Sequence, residues 1–175
     1  DNIGNAFLKL DNLEKLSIND LLSTKYNDAV LSESFTDIIS KIGENIVLKK
    51  LLTIQKNDNE IFFSYTHNSY KKNIGKICVL LKAKVTNNNE ETQQFGKNLC
   101  MHIAASKPLS LDVDSLNPEI IEREKKVLKE TILSSKKPEN IIEKILEGKM
   151  NKYFSEVTLL NQPFILDTDK KVKNA

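Results

Sequence analysis

Apolar residues recur with a helical period in the segment that begins at Leu31. They follow one another at steps of three and four residues as far as Ile42, which predicts one amphipathic helix. Gly43 comes next, and glycine adopts the left-handed conformation at a helix C-terminus without steric cost. The pattern therefore predicts a helix over residues 31–42 that stops at this glycine.

The following segments carry shorter apolar runs that are typical of strands. Residues 46–55 and 60–67 flank a polar turn at 57–59, and residues 74–85 follow a second polar connection. Aromatic and β-branched residues in the second run suit a pleated surface. The nearly continuous apolar stretch at 77–81 indicates a central strand. We expect these three runs to form an antiparallel β-meander.

Helical spacing returns in the second half of the chain. Phe95, Leu99, His102 and Ile103 share one face of a helix that has ended before Pro108. The Pro-Glu pairs at 118–119 and 138–139 then open two further helices, because proline suits the first helical turn and a carboxylate suits the positive end of the dipole.

The two later helices are separated by a short turn at residues 134–137. Helices joined by about four residues must run antiparallel, so residues 116–154 predict a helical hairpin. Gly148 lies inside the second helix, which suggests a bend or a close backbone contact there. Beyond the hairpin, residues 156–167 look extended and residues 169–175 look frayed.

These elements predict an α+β fold, in which an antiparallel β-meander packs with helices and an antiparallel helical hairpin, a coiled coil, protrudes. We expect three parts. Residues 1–115 form an α+β core subdomain, residues 116–154 the hairpin, and residues 155–175 the return segment of a second, incomplete core subdomain.

Composition narrows the classes of partner. Among the 175 residues, 26 Lys and Arg stand against 24 Asp and Glu, and a net charge of +2 is too small to indicate nucleic acid. No apolar run approaches the roughly 18 residues that a membrane span needs. Cys78 and Cys100 each lie in apolar surroundings, which predicts two buried free thiols in a reducing compartment. We expect a cytoplasmic protein that binds neither nucleic acid nor membrane.

Side chains that could support catalysis are few. A catalytic triad needs a positioned base, and only His67 and His102 are available. His102 lies on an apolar helix face, where a packing role is the more frequent one. The sequence contains no zinc-binding spacing, no EF-hand loop and no phosphate-binding glycine motif. We therefore expect no enzyme, no cofactor and no metal, but a module that works by contact.

Six ordered motifs over residues 35–170 resemble the elongation factor Ts family. They are K-I-G-E-N-I at 41–46, S-Y-T-H at 64–67 with I-G-K at 74–76, M-H-I-A-A-S-K-P at 101–108, K-P-E-N-I at 137–141, E-G-K-M at 147–150 and E-V-T-L-L-N-Q-P-F at 156–164. The resemblance implies the family's α+β core with an inserted antiparallel coiled coil.

The same resemblance implies a function and a partner. The family contacts elongation factor Tu, both GDP-bound and nucleotide-free, disturbs its phosphate loop and magnesium site, and so promotes GDP release. The residues that the resemblance implies as partner contacts are Ile42, Gly43, Glu44, Asn45, Tyr65 and His67. From the residues alone, 42–45 could equally be a plain helix stop, and His67 a capping or turn histidine.

Two motifs of the family do not occur in this sequence. The family's T-D-F-V motif, which stands before the region where this chain begins, is absent, as is the closing R-F-E and G-E-G strand after Val172. The resemblance thus predicts a central piece of the factor with weakened exchange activity. Two other classes stay open: a structural or dimerisation module that forms a homodimer through the hairpin, and an RNA-associated scaffold with steep salt dependence.

Overall fold

In the computed structural model, the chain divides into two compact units, residues 1–56 and residues 57–175. The structure describes Gly4, Phe7, Leu8, Leu10 and residues 15–26, 28–133 and 138–175. The turn predicted at 134–137 lies outside the described residues. None of the helices in the described ranges has the length and apolar character that a membrane crossing requires.

The first unit is built around one long helix. Its elements are α1 (Ile18–Leu22), β1 (Lys25–Tyr26), β2 (Ala29–Val30) and α2 (Leu31–Ile42), with β1 and β2 paired antiparallel. Ser17 caps the N-terminus of α1, and its side-chain oxygen accepts a hydrogen bond from the Asp20 backbone N–H at 3.2 Å. Leu21 and Leu31 form the buried core. The bounds predicted for α2 are confirmed.

The strand predicted at residues 46–55 is wrong. The structure has no regular secondary structure there, although the sequence is rich in apolar residues. Leu48 and Leu51, three residues apart, pack instead on the core formed by Leu21 and Leu31. Their spacing does not match the two-residue period by which a strand buries one face.

A long hairpin opens the second unit. It joins β3 (Glu60–Lys71) to β4 (Ile74–Lys84) in antiparallel register, with Phe63 opposite Leu81. The predicted meander is therefore a two-stranded sheet. Helix α3 (Glu90–Ser106) packs on this hairpin, and a methyl group added at Gly96 would collide with the Phe63 ring.

Alternate residues of β4 differ in exposure, and the expectation that Cys78 is buried is therefore wrong. Ile77 and Val79 are half-buried, whereas Cys78 between them is exposed. Successive side chains of a strand point to opposite faces, so a continuous apolar run does not bury every member. Cys100 on α3 is buried as predicted.

Helices α4 (Pro118–Leu133) and α5 (Glu139–Val157) pack against each other and bury Ile132 and Ile142. The second helix runs three residues beyond its predicted end at 154. The close backbone contact expected at Gly148 is wrong, because a Cβ added there would meet nothing within 4 Å. The coiled-coil geometry and the protruding position of the pair stay predictions.

The C-terminal residues are ordered, so the frayed end predicted at 169–175 is wrong. Strands β5 (Pro163–Phe164) and β6 (Asp167–Lys171) pair antiparallel, flanked by short 3₁₀ helices at Leu159–Asn161 and Val172–Asn174. A second core cluster consists of Leu159, Phe164 and Val172, with Leu99, Ile103 and Leu160 packed against it. The three-part domain division stays a prediction.

Candidate partner-contact site

The first group of candidate residues lies where α2 ends. Gly43 adopts the left-handed conformation with φ 72°, and its N–H donates to the Ile39 carbonyl at 2.9 Å. A side chain at this backbone conformation would be strained, which explains the glycine. Ile42, Glu44 and Asn45 are exposed around it, Ile42 to 54%. The helix end thus presents one apolar side chain beside two polar ones.

The second group lies in the other unit, on β3. Tyr65 and His67 are two residues apart and therefore project from the same face of the strand. The Tyr65 hydroxyl lies 3.0 Å from His67 Nδ1, and the two ring centroids are 6.1 Å apart. In the tautomer that carries its hydrogen on Nε2, the phenol donates to Nδ1, and the Nε2–H is then available to a partner.

Gly75 supports the backbone at His67, a role that the sequence did not assign to it. A Cβ built at Gly75 would come within 2.7 Å of the His67 carbonyl oxygen and within 2.5 Å of Thr66 Cγ2. Only glycine lets the two strand backbones approach this closely. A glycine inside a strand pattern is itself a sign of close backbone approach, so the signal was present in the sequence.

His102, the other histidine, belongs to the interior of the second unit. It is fully buried, and its Nε2 lies 2.9 Å from Gln162 Oε1. The backbone N–H of Ile165 donates to its Nδ1 at 3.2 Å. Gln162 in turn donates to the Glu156 carbonyl at 2.7 Å. Both ring nitrogens are therefore used within the chain, which confirms the predicted packing role.

Two groups with a shifted pKa lie on α3 and at the start of β3. Burial raises the pKa of the Cys100 thiol to about 11, so the nucleophilic thiolate is scarce at neutral pH. The Asn57 backbone N–H holds the pKa of the Glu60 carboxyl below its usual range, and Lys82 contributes at 3.2 Å. Within the described ranges, no three His, Cys, Asp or Glu residues are grouped as metal ligands would be.

The chain matches a known protein family over nearly its whole length. Residues 3–175 match the family model described as Elongation factor TS. The chain belongs to the elongation factor Ts family. The resemblance drawn from the six motifs is thereby confirmed.

Curated relatives in this family are similar to the chain over most of its length. Elongation factor Ts of Paracoccus denitrificans (strain Pd 1222) is 41% identical over 155 residues, which are 89% of this chain and 51% of that protein. Elongation factor Ts of Bartonella henselae is 38% identical over 149 residues, 85% of this chain and 48% of that protein. The chain therefore spans about half the length of the curated relatives it matches.

Membership of the elongation factor Ts family does not itself assign roles to single residues. Tyr65 and His67 are brought together by the fold, and Ile42–Asn45 are contiguous at a helix end in the other unit. Their role as contacts for a partner stays a prediction.

Proposed function

We propose that this chain promotes the release of GDP from elongation factor Tu by direct protein contact. The observation that carries the proposal is the family match over residues 3–175. The activity follows from linkage. A protein that binds the nucleotide-free form of a GTPase more tightly than the GDP form must weaken GDP binding by the same factor.

The end of α2, in the first unit, supports the proposal as one set of candidate contact residues. Ile42 exposes an apolar side chain, and Glu44 and Asn45 follow as exposed polar neighbours. Protein interfaces commonly combine an apolar centre with a polar rim. The left-handed turn at Gly43 fixes the direction in which the chain leaves the helix, and so fixes the positions of these neighbours.

The second set lies around His67, which is inside β3 because that strand continues to Lys71. A two-stranded sheet and the close approach at Gly75 hold the His67 backbone, while its side chain is exposed. The hydrogen bond between the Tyr65 hydroxyl and His67 Nδ1 restricts the ring. A restricted exposed side chain loses less conformational entropy on binding, which favours its use as a contact.

A contact mechanism also suits the groups that the site contains. The candidate residues comprise one histidine, one tyrosine and an exposed helix end, with no nucleophile–base–orienter arrangement among them. We infer that the chain acts on its partner's nucleotide site without transferring any group itself.

Two measurements test this proposal. Calorimetric titration should detect binding of the chain to elongation factor Tu, more tightly in the nucleotide-free form than in the GDP form. Stopped-flow release of a fluorescent GDP analogue should then be faster in the presence of the chain. Equal affinity for the two forms would contradict the proposal, because a ligand with equal affinity shifts no equilibrium.

A further inference from the structure

The outer part of the β3–β4 hairpin, residues 67–76, forms a tip that is exposed to solvent. Every residue of this hairpin tip except Gly75 is exposed. Helix α3 packs on the other part of the hairpin, around Phe63. Ser69 holds the turn at the end of the tip, because its hydroxyl donates to the Lys71 carbonyl at 2.5 Å. The hairpin tip is therefore a fixed ribbon with solvent on both faces.

The hairpin differs in charge from the rest of the chain. Between Ile61 and Asn89 lie five of the 26 cationic residues and none of the 24 acidic ones. Three of these five lysines, Lys71, Lys72 and Lys76, belong to the hairpin tip. The remaining residues of the chain therefore carry a net negative charge, which the net charge of +2 conceals. The expectation of no nucleic-acid binding rested on that whole-chain value. A surface with one sign of charge attracts a polyanion.

Two of the tip lysines have no acidic partner in the described parts of the chain. Lys72 and Lys76 form no ion pair with any of those residues. The base of the hairpin differs, because Lys82 there is paired with Glu60 at 3.2 Å. The amino groups of Lys72 and Lys76 are therefore available to an anion from outside the chain.

A β-bulge places an aromatic side chain beside these lysines. The register shifts between Ser69 and Lys71, so Tyr70 between them has no partner residue on β4. An extra residue of this kind bends the strand and redirects its side chain. Tyr70 is 71% exposed and directly precedes Lys71 and Lys72. An exposed ring next to cations is the combination that binds single-stranded nucleic acid, because phosphates contact the cations and a base stacks on the ring.

We propose that the hairpin tip binds single-stranded nucleic acid. Lys71, Lys72 and Lys76 contact phosphate groups, and Tyr70 stacks on one base. Phosphate contacts and stacking do not depend on the identity of the base, so the site accepts any base sequence. The exposed ring of Tyr70 favours nucleic acid over an acidic protein surface, because carboxylates would need only the lysines.

Fluorescence anisotropy of labelled oligouridylate and oligodeoxythymidylate, titrated with the whole chain, measures this binding. Three phosphate contacts predict a slope of about −2 when the logarithm of the association constant is plotted against the logarithm of the salt concentration. Affinity should therefore fall roughly twentyfold between about 50 and 200 mM salt. Binding of either strand supports the proposal, and the tighter one identifies the ligand. A wild-type chain that binds neither strand would overturn it.

The lysines are tested by a pair of double variants. Lys72→Gln with Lys76→Gln removes two phosphate contacts and should bring the slope to about −0.7. Lys125→Gln with Lys129→Gln is the matched control, because it removes the same charge from exposed positions on α4 and should leave the slope unchanged. An equal effect of the two double variants would show that the charge of the whole chain, and not the hairpin tip, binds the strand. That result would overturn the proposal.

The aromatic ring is tested separately from the charges. Tyr70→Ala should weaken binding at least about fivefold at every salt concentration, with the slope unchanged, because the stacked base is lost. Tyr70→Phe keeps the ring and should bind as the wild type does. Circular dichroism checks that each variant stays folded. If labelled oligoglutamate binds as tightly as the strands and Tyr70→Ala has no effect, the hairpin tip contacts an acidic protein surface and the proposal is overturned.

Discussion

The two histidines mark two regions of the same unit that use one residue type in opposite ways. Within β3, which continues four residues beyond the strand end predicted at His67, that histidine is exposed and contacts Tyr65. Where α3 meets the C-terminal segment, His102 is fully buried and joins Gln162 to the backbone of Ile165. Within the described residues, the first ring engages one nitrogen, Nδ1, whereas the second engages both.

This difference separates binding from stability. A buried polar ring whose partners depend on it cannot be removed without leaving those partners unsatisfied. An exposed ring leaves only water in its place. Replacing each histidine by alanine should therefore affect different properties. At His102 the free energy of unfolding should fall, and at His67 the affinity for a partner should fall.

The largest expected effect is on the buried histidine. His102→Ala should lower the free energy of unfolding by roughly 2–4 kcal/mol, because it leaves a cavity and strands Gln162 Oε1 and the Ile165 N–H. Urea unfolding followed by circular dichroism measures this loss. His67→Ala is the matched control, and an equal loss in both variants would erase the distinction between the regions.

The next largest effect is expected at Gly75, the glycine that lies against the β3 backbone at His67. Gly75→Ala should cost roughly 1–3 kcal/mol of stability, since the new Cβ collides with the His67 carbonyl oxygen and Thr66. The strand must shift to relieve this contact, so affinity for elongation factor Tu should fall as well. Thermal melting measures the stability, and calorimetric titration of the same sample measures the affinity for elongation factor Tu. A loss of stability with unchanged affinity would show that the His67 position does not matter for binding.

The smallest expected effect is an increase in stability. Gly148→Ala should raise stability by about 0.5–1 kcal/mol, because alanine favours the helix and its Cβ meets nothing. Gly96→Ala, the same change in another helix, should destabilise the protein, since its Cβ would enter the Phe63 ring. Melting curves of the two variants should move in opposite directions, and shifts of the same sign would contradict the packing described for α3.

Local patterns in the sequence were sufficient to predict the structure where that structure depends on neighbouring residues. The helix over 31–42 and its stop at Gly43 depend on a periodic apolar stripe and a backbone preference, which both lie within one contiguous segment. The packing role of His102 followed from the apolar face on which it lies. Its partners Gln162 and Ile165 are about sixty residues away and could not be read from that face.

The wrong predictions concern segments whose structure depends on residues that are distant in the sequence. Residues 46–55 have apolar composition but no strand beside them, and Leu48 and Leu51 pack on a helix core instead. Asp167–Lys171 are polar and charged, yet form a strand because Pro163 and Phe164 pair with them and Val172 is buried next to them. Composition alone cannot indicate where a strand finds its partner.

The contact residues followed from the resemblance to a family and not from physical pattern alone. The strand predicted to end at His67 continues to Lys71, and an exposed histidine within a strand has no sequence signature of binding. The fold adds only its geometry beside Tyr65. A glycine at position 75 inside a predicted strand already signalled a close backbone approach, but its contacts with His67 and Thr66 came only from the distances between the strands.

The most direct test of contact at His67 is calorimetric titration of elongation factor Tu with the His67→Ala chain. The account predicts that affinity falls by about 1–3 kcal/mol, as for an interface anchor, while stability changes by no more than about 0.5 kcal/mol. Ser64→Ala is the control, since Ser64 is exposed on the opposite face of β3 and should leave affinity unchanged. Unchanged affinity for His67→Ala, with a stability loss like that of His102→Ala, would contradict the account.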